Sequence, residues 1–384
     1  MRIAYVSLYD PADRNAWSGL IRGIHDSLVK AGAEVDVVWG MKESRATRLK
    51  TGIRKWIYRK VLGQEFPRNR DPAYLSEIAR QADAQLAGKH YDFIFAPSSL
   101  NIAAMKTATP KAFWTDATFG GMVGFYADFT GLAPAALRQG HAQEQTGLSQ
   151  AALAFYSSTW AAETALAHYD VAPDKVHAVG FGANIPEAAA PLDLPARMAA
   201  RPMLLHVGVD FIRKGGDKAV AAAAELRARG IDVELHIVGT TPPEPLPDWV
   251  VLHGFLSKNN PEHWAKLSAL FAQSRFLLVP SVAECFGVVF VEAAAFGLPS
   301  LATDVGGIPS AIEEGISGFT LPLEASGVAY ADAMEPYFRD PALYERLCLS
   351  SLEAYEQRMS WDRRGEQVLK IMSDYLEKRQ PAKA

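Results

Sequence analysis

The feature that most constrains the fold is an alternation of short apolar runs with helical segments, which starts again in the second half of the chain. Apolar runs of this kind are typical of strands buried on both faces of a parallel sheet, whose connections are crossover helices. The sequence therefore predicts an α/β protein with two doubly wound sheets. Strands are predicted at residues 3–6, 35–38, 93–96, 112–114, 151–157, 176–179, 203–207, 233–238 and 276–279.

A proline- and alanine-rich stretch separates the two halves. Residues 185–202 contain four prolines, which favours a linker between domains. The length of 384 residues also suits two domains, at about 150 residues each. The sequence predicts an N-terminal α/β domain at 1–184, the linker at 185–202 and a second α/β domain at 203–360. A C-terminal helix at 361–384 is expected to pack back on the first domain.

Composition excludes several classes of protein. The net charge of −4 provides no global basic field for nucleic acid, and two cysteines are too few for a disulfide scaffold. No apolar stretch approaches the roughly 20 residues of a membrane span, and the first residues do not resemble a signal peptide. The expected location is cytoplasmic, with peripheral contact at the inner face of the membrane as an option. No Asp-x-Asp motif or histidine cluster suggests a metal site.

Two glutamates in the stretch 280–309 mark the strongest candidate site. Glu284 follows the strand at 276–279, Gly287 allows backbone to approach a ligand closely, and Glu292 lies in the apolar helix that follows. A helix N-terminus suits a phosphate, and a buried carboxylate needs a partner such as a sugar hydroxyl. In the alternative interpretation, Glu284 caps the helix while Glu292 meets a core arginine or solvent.

This stretch closely resembles the donor-site signature of glycosyltransferase family 4. The resemblance implies the GT-B fold, in which two doubly wound Rossmann-like domains face a central cleft. It implies that the domain at 1–184 is on the acceptor side and that the domain at 203–360 binds the nucleotide sugar. It also implies retaining transfer of a hexose from a UDP- or GDP-linked sugar to a glycan, lipid-linked glycan or small-molecule hydroxyl. The matching residues are Glu284, Phe286-Gly287, Glu292, Gly297-Leu298-Pro299, Gly306-Gly307-Ile308-Pro309 and Glu314-Gly315-x-x-Gly318-Phe319.

The resemblance also implies individual roles. Glu284 would contact the transferred sugar, and Glu292 would hold the ribose hydroxyls. Phe286, Gly287 and Val288 would offer backbone donors to the nucleotide-diphosphate sugar, which is a substrate rather than a cofactor; no cofactor is expected.

A second cluster lies between the strand at 203–207 and the next helix. Arg213 and Lys214 stand in a glycine-flanked turn, where two adjacent cations can neutralise a diphosphate. Family members commonly carry an arginine where this chain has Val209, and Arg213 is its expected substitute. An alternative for Arg213 is a surface charge or a pair with Asp210.

Two positions in the first half complete the candidate site. Gly19 follows the first strand, at the edge of the sheet where doubly wound folds bind ligands, and the resemblance implies that it approaches the donor phosphates. Ser18 is interpreted as a helix cap or as a ligand contact. Asp116 stands near the position where many relatives have a histidine. It would orient an acceptor hydroxyl or the donor sugar, or else form a turn.

The resulting hypothesis is a metal-independent transferase. Same-face attack would proceed through an oxocarbenium-like state, with the leaving diphosphate accepting the proton of the acceptor. The protein would then contribute positioning and charge stabilisation. The alternatives are a GT-B nucleotide-sugar epimerase or hydrolase, and a non-catalytic two-domain sugar-binding protein.

Residues 42–70 form a strongly basic segment. They contain ten Lys or Arg and two Glu, a local charge of +8 that leaves −12 for the rest of the chain. A helix over 51–62 would have an apolar side, formed by Ile53, Trp56, Ile57 and Val61, and a basic side, formed by Arg54, Lys55 and Arg59. Either its apolar stripe packs on the N-terminal domain with the charges in water, or the segment contacts an anionic membrane or an anionic acceptor.

Overall fold

The computed structural model describes residues 1–13, 16–187 and 189–379. These residues form two compact units, one containing residues up to 179 together with those from 364, the other containing residues 180–363. The described residues of the 185–202 stretch therefore belong to the second unit. The predicted linker and C-terminal helix include residues 188 and 380–384, which lie outside the described residues.

The described part of the first unit is built on a six-stranded parallel sheet, in the order β2-β1-β3-β4-β5-β6. Its strands are β1 (Arg2–Val6), β2 (Glu34–Val38), β3 (Phe93–Ala96), β4 (Lys111–Thr115), β5 (Leu153–Tyr156) and β6 (Val176–Ala178). Its helices are α1 (Leu20–Lys30), α2 (Arg45–Trp56), α3 (Pro72–Leu86), α4 (Ser99–Ile102), α5 (Phe119–Met122), α6 (Pro134–Gln150) and α7 (Thr159–His168).

Within its described residues, the second unit repeats this plan with six parallel strands in the order β12-β11-β10-β7-β8-β9. Its strands are β7 (Met203–Val207), β8 (Glu234–Val238), β9 (Val250–Leu252), β10 (Phe276–Val279), β11 (Ser300–Thr303) and β12 (Gly318–Leu321). Its helices are α8 (Leu194–Ala199), α9 (Gly216–Ala228), α10 (Pro261–Gln273), α11 (Val288–Ala295), α12 (Gly327–Arg339) and α13 (Pro341–Ala354).

The prediction of two doubly wound sheets is confirmed, because every predicted apolar run coincides with a strand. β9, β11 and β12 were not predicted. β9 has only three residues, and the four-residue strands β11 and β12 contain residues such as Thr303 and Gly318 that weaken the apolar signal. Each parallel sheet places the carboxyl ends of its strands along one edge, where ligands bind in such folds.

The turn before α1 differs from the expectation. Trp17 (φ 49°), Ser18 (φ 55°) and Gly19 (φ 86°) are all left-handed, and α1 begins after Gly19 with no side-chain cap. A serine cap needs an extended backbone so that its hydroxyl can reach the first free N–H groups. The interpretation of Ser18 as the helix cap is therefore wrong.

The basic segment also differs from one of its interpretations. The helix runs over Arg45–Trp56 and continues as a wider π-helical turn over Ile57–Val61. Ile53, Trp56 and Val61 are exposed, so the interpretation in which the apolar stripe packs on the N-terminal domain is wrong. Arg54, expected among the outer charges, instead forms an ion pair with the buried Asp71.

The C-terminal helix α14 (Trp361–Glu377) begins in the second unit and continues into the first. There Val368 and Met372 are fully buried, and the Tyr375 ring lies 5.6 Å from that of Phe93. Among the described helices, none has the length and apolar character needed to cross a membrane.

Candidate functional site

The loop between β7 and α9 is a series of tight backbone turns. The Lys214 and Gly215 amides donate to the carbonyls of Asp210 and Ile212, at 3.0 Å each. Gly215 is left-handed (φ 71°), and a Cβ there would lie 2.0 Å from the Pro280 carbonyl oxygen. The loop can therefore turn only with glycine at this position, which holds it against the end of β10.

The loop after β10 is anchored on both sides. The Val282 amide donates to the Arg213 carbonyl at 2.8 Å, and the Gly307 amide donates to the Glu284 carbonyl at 3.0 Å. Gly287 is left-handed (φ 84°) and begins α11, where a Cβ would lie 2.5 Å from the Phe290 ring. The glycines of the motif therefore act through backbone geometry, by allowing these close approaches.

Three predicted site residues meet at this edge of the sheet. The Lys214 ammonium forms an ion pair with Glu284 Oε2, and Arg213 Nη1 lies 3.6 Å from the same oxygen. Arg213 also donates from Nη1 to the Ala283 carbonyl at 3.0 Å and lies 3.7 Å from Asp210 Oδ2. The Lys214 and Glu284 side chains are only 12% and 14% exposed. Two partly desolvated cations thus meet at one carboxylate, and Arg213 also has the pair with Asp210 that was one of its alternatives.

Glu292 lies in the apolar helix α11 and forms a second pair. Its side chain is 6% exposed, and its Oε1 accepts from the Lys258 ammonium. This partner differs from the core arginine or solvent of the alternative interpretation. Glu284 does not cap α11, since that helix has no side-chain cap.

Sequence reasoning missed Lys258. It follows β9 in a polar stretch before α10, and neither its neighbours nor its spacing marks it. One sequence signal could have found it, because Lys258, like Lys214, is a lysine in the loop that follows a strand. Using that signal required recognising β9, whose three residues are too few to stand out.

A buried histidine lies beneath the cationic loop. His206 of β7 is fully buried, and its Nδ1 is 2.9 Å from the Leu278 carbonyl oxygen, to which it donates. Burial lowers the pKa of His206 to about 4, and the Lys214 charge contributes in the same direction. The imidazole is therefore neutral at neutral pH and adds no charge of its own to the site.

The remaining predicted residues lie in the first unit. Gly19 stands before α1, on the connection that leaves β1, and the half-buried Asp116 directly follows β4. Both are therefore at the carboxyl edge of that sheet. Among described residues, no group of three or more His, Cys, Asp or Glu is arranged to hold a metal ion.

The cationic loop and both glutamates lie in one recognisable stretch. Residues 201–340 match the family model described as glycosyl transferases group 1. This segment is therefore similar to group 1 glycosyltransferases. It contains Arg213, Lys214, Lys258, Glu284 and Glu292.

Individual proteins show the same likeness over part of their length. The chain is 30% identical over 181 residues to an alpha-D-kanosaminyltransferase of Streptomyces kanamyceticus, which covers 44% of this chain and 45% of the relative. In general, the chain spans about half the length of the curated relatives it matches.

Solved structures cover nearly the whole chain. A sucrose-phosphate synthase from Thermosynechococcus elongatus superposes with a TM-score of 0.69 at 20% identity, over 98% of this chain and 99% of that one. HepE of Anabaena, in complex with UDP-glucose, superposes with a TM-score of 0.64 at 15% identity, over 97% and 100%. These likenesses concern the fold, which is GT-B with two Rossmann-like units, as predicted.

Proposed function

We propose that the protein is a metal-independent, retaining glycosyltransferase that takes a hexose from a UDP- or GDP-linked sugar. The observation that carries the proposal is the meeting of Arg213 and Lys214 with Glu284 at the carboxyl edge of the sheet, in the segment similar to group 1 glycosyltransferases. A diphosphate can bind the two adjacent cations, because Arg offers a planar fork of donors and Lys a point charge to phosphate oxygens. The N-terminus of α11 adds free backbone N–H groups nearby.

The two glutamates with their lysine partners bind different parts of the donor. Glu284 shares its charge with two cations, which suits the junction between diphosphate and sugar. Glu292 is more deeply buried and has a lysine partner, so it suits the hydroxyls of the ribose. Phe286, Gly287 and Val288 contribute backbone groups beside these carboxylates.

The mechanism that we propose relies on positioning and charge. As the glycosidic bond to the diphosphate breaks, negative charge grows on the leaving oxygens, where Arg213 and Lys214 stabilise it. The acceptor hydroxyl attacks the same face of the sugar, and its proton passes to the departing diphosphate. The products are the acceptor with its new glycosidic bond and the free nucleoside diphosphate, which carries the acceptor's proton.

Asp116 and Gly19 keep the roles that the family resemblance implies. Asp116 would orient an acceptor hydroxyl or the donor sugar, and Gly19 would approach the donor phosphates through its backbone. The acceptor class is a glycan, a lipid-linked glycan or a small-molecule hydroxyl.

Ligand-dependent stability tests the donor site. UDP, GDP, ADP and their glucose conjugates are compared by thermal unfolding, with uridine and guanosine as phosphate-free controls. A ligand at about 100 times its dissociation constant stabilises the native state by about 2.7 kcal/mol, which raises the melting temperature by several degrees. We expect UDP or GDP to do so while the nucleosides do not. If no nucleoside diphosphate shifts the transition, the donor site is wrong.

Product analysis tests the chemistry. With the stabilising donor sugar and a panel of acceptors, we expect a glycoside of retained anomeric configuration, and the same rate in EDTA. Free sugar regardless of acceptor would indicate a hydrolase, and a changed sugar on the nucleotide would indicate an epimerase. Loss of activity in EDTA, restored by a divalent ion, would overturn the metal-free mechanism.

A further inference from the structure

The outer surface of residues 45–61 presents apolar side chains to solvent. Leu49 is 66% exposed, Ile53 51%, Trp56 59% and Val61 64%. On a helix with 100° between residues, Leu49, Ile53 and Trp56 share one face. Single exposed apolar side chains are common on protein surfaces and need no explanation. A cluster of large ones on a single face instead marks a site of interaction with a partner.

The opposite face of the same helix is held to the first unit. Thr51 is fully buried, and Arg54 Nη1 lies 2.6 Å from Oδ2 of the buried Asp71. The Tyr58 and Phe66 rings stack at 4.9 Å. These contacts fix the rotation of the helix, so the apolar face cannot turn inward without breaking them.

Cations without acidic partners surround the apolar face. Glu43 pairs with Arg48 and Arg68, and Glu65 pairs with Arg59. With 100° between residues, Lys50 lies about 90° from the centre of the apolar face on one side, and Lys55 lies about 130° from it on the other. Arg45 and Lys60 lie near its two ends. Within the described ranges, the cations of the segment that have no ion pair are Lys42, Arg45, Lys50, Lys55 and Lys60.

A shallow groove lies along this face. It has a volume of about 490 Å³ and is lined by Leu49, Gly52, Ile53 and Trp56 together with Arg45 and Arg48. An apolar floor beside two cations is complementary to an acyl chain beside an anionic headgroup.

We propose that residues 45–61 dock the protein on an anionic lipid surface. The apolar side chains would enter the boundary between headgroups and acyl chains, where Trp56 suits the interface. The lysines would extend their aliphatic stems along that boundary and place their ammonium groups among the phosphates. A lipid surface fits this face better than an acidic protein does, because charge complementarity and an extended apolar stripe occur on the same helix. The proposal does not depend on the glycosyltransferase activity.

Vesicle co-sedimentation tests the docking directly. The full chain is mixed with phosphatidylcholine vesicles or with vesicles of equal parts phosphatidylcholine and phosphatidylglycerol, without donor or acceptor. We expect binding to the anionic vesicles, weakened as salt rises, and little binding to the neutral ones. Lys55→Glu with Lys60→Glu should weaken binding about 30-fold or more, because each cation near the surface contributes about five-fold.

A matched pair of substitutions separates docking from net charge. Lys266 and Arg346 are exposed cations on α10 and α13 of the second unit. Lys266→Glu with Arg346→Glu changes the net charge equally and should leave vesicle binding unchanged. If this control pair weakens binding as much as the Lys55 and Lys60 pair does, the docking site is overturned.

The apolar face is tested separately. Trp56→Ser should lose most of the anionic binding while keeping the thermal stability, because the side chain is exposed; Ile53→Ser is a second variant of the same kind. Brominated lipids should quench tryptophan fluorescence in the wild type more than in Trp56→Phe. Equal binding to neutral and anionic vesicles would overturn the proposal. The proposal would also be overturned if the wild type bound no vesicles but self-associated, and Trp56→Ser abolished that self-association.

Discussion

Glu284 and Glu292 occupy different electrostatic settings, although each meets a lysine. Glu284 lies in a loop between two cations, whereas Glu292 lies inside an apolar helix and is only 6% exposed. In the proposed donor complex, Glu284 is beside the bond that breaks, and Glu292 is beside the nucleoside. The two should therefore affect different kinetic constants.

Neutral isosteres separate the two roles. Glu284→Gln should lower kcat, while Glu292→Gln should raise the Kd of the nucleoside diphosphate. Each loss is expected at about 1.5–3 kcal/mol, or roughly 10–150-fold, because a hydrogen bond to a charged group is removed. Steady-state kinetics and calorimetry measure the two effects. Glu262→Gln, an exposed substitution in α10, is the control, and wild-type behaviour of both site variants would contradict the assignment.

Substitution of Lys214 tests whether this side chain binds the diphosphate of the donor. Lys214→Ala should weaken the binding of a nucleoside diphosphate by about 10–100-fold and change the affinity for the nucleoside little. Only the diphosphate carries the anion that a lysine stabilises. Calorimetry with the two ligands gives the comparison, and Lys266→Ala is the matched surface control. An equal loss for both ligands would mean that Lys214 acts through the fold of its loop.

At the scale of elements, the core strand β7 carries a titratable side chain, His206. His206 makes one hydrogen bond through Nδ1, and its Nε2 has no hydrogen-bond partner among the described residues. Because the group is fully buried, charging it in the folded protein is unfavourable. Stability should therefore depend on pH through this strand.

The direction of that dependence follows from the lowered pKa. The unfolded histidine titrates near 6.5, and the folded one at about 4. The unfolded state therefore binds the proton first as pH falls. The stability due to the neutral imidazole is complete above pH 6.5 and is lost as pH falls towards 4, by about 3 kcal/mol.

His206→Asn removes the titration and keeps a donor near the position of Nδ1. Denaturant unfolding between pH 7 and pH 4.5 should show a smaller loss of unfolding free energy in the variant, whatever its stability at pH 7. The slope, rather than the absolute stability, is the readout. Identical slopes in the two proteins would contradict the buried, neutral histidine.

At the scale of the whole molecule, each unit has its own core, and α14 belongs in part to the first. Met372 is fully buried there, and a Cβ at Gly365 would lie 2.3 Å from the Ser27 carbonyl oxygen of α1. The first unit thus depends on residues that follow the second unit in sequence.

Met372→Ala tests this dependence. A buried Met→Ala change costs about 2–5 kcal/mol, and the loss should fall on the first unit alone. Hydrogen exchange should increase in β1 and β3 and remain unchanged in β7 and β10. Leu349→Ala, at a side chain 50% exposed on α13, should change stability by no more than about 0.5 kcal/mol. Equal loss of protection in both units would show that they unfold together.

Much of the fold was predictable from short-range patterns. Buried parallel strands are continuous apolar runs, so residues such as 93–96 and 276–279 stand out in the sequence. The glycine and glutamate pattern from Glu284 to Glu292 also predicts the candidate site, in a stretch whose strand and helix the structure confirms. The edge strands β9 and β12 were missed, because a short, partly exposed strand carries little apolar signal.

The sequence by itself therefore determined the two parallel sheets, the local charge of residues 42–70 and, within the candidate site, the choice of Arg213, Lys214, Glu284 and Glu292, but not that of Lys258. Tertiary structure alone decided the pairings. Lys258 meets Glu292 across 34 positions and Lys214 meets Glu284 across 70, distances at which sequence spacing carries no information about contact. It also decided which face of α2 is buried. An amphipathic pattern defines a stripe but not its partner, and here Arg54–Asp71 and the packing of Thr51 turn the apolar stripe outward.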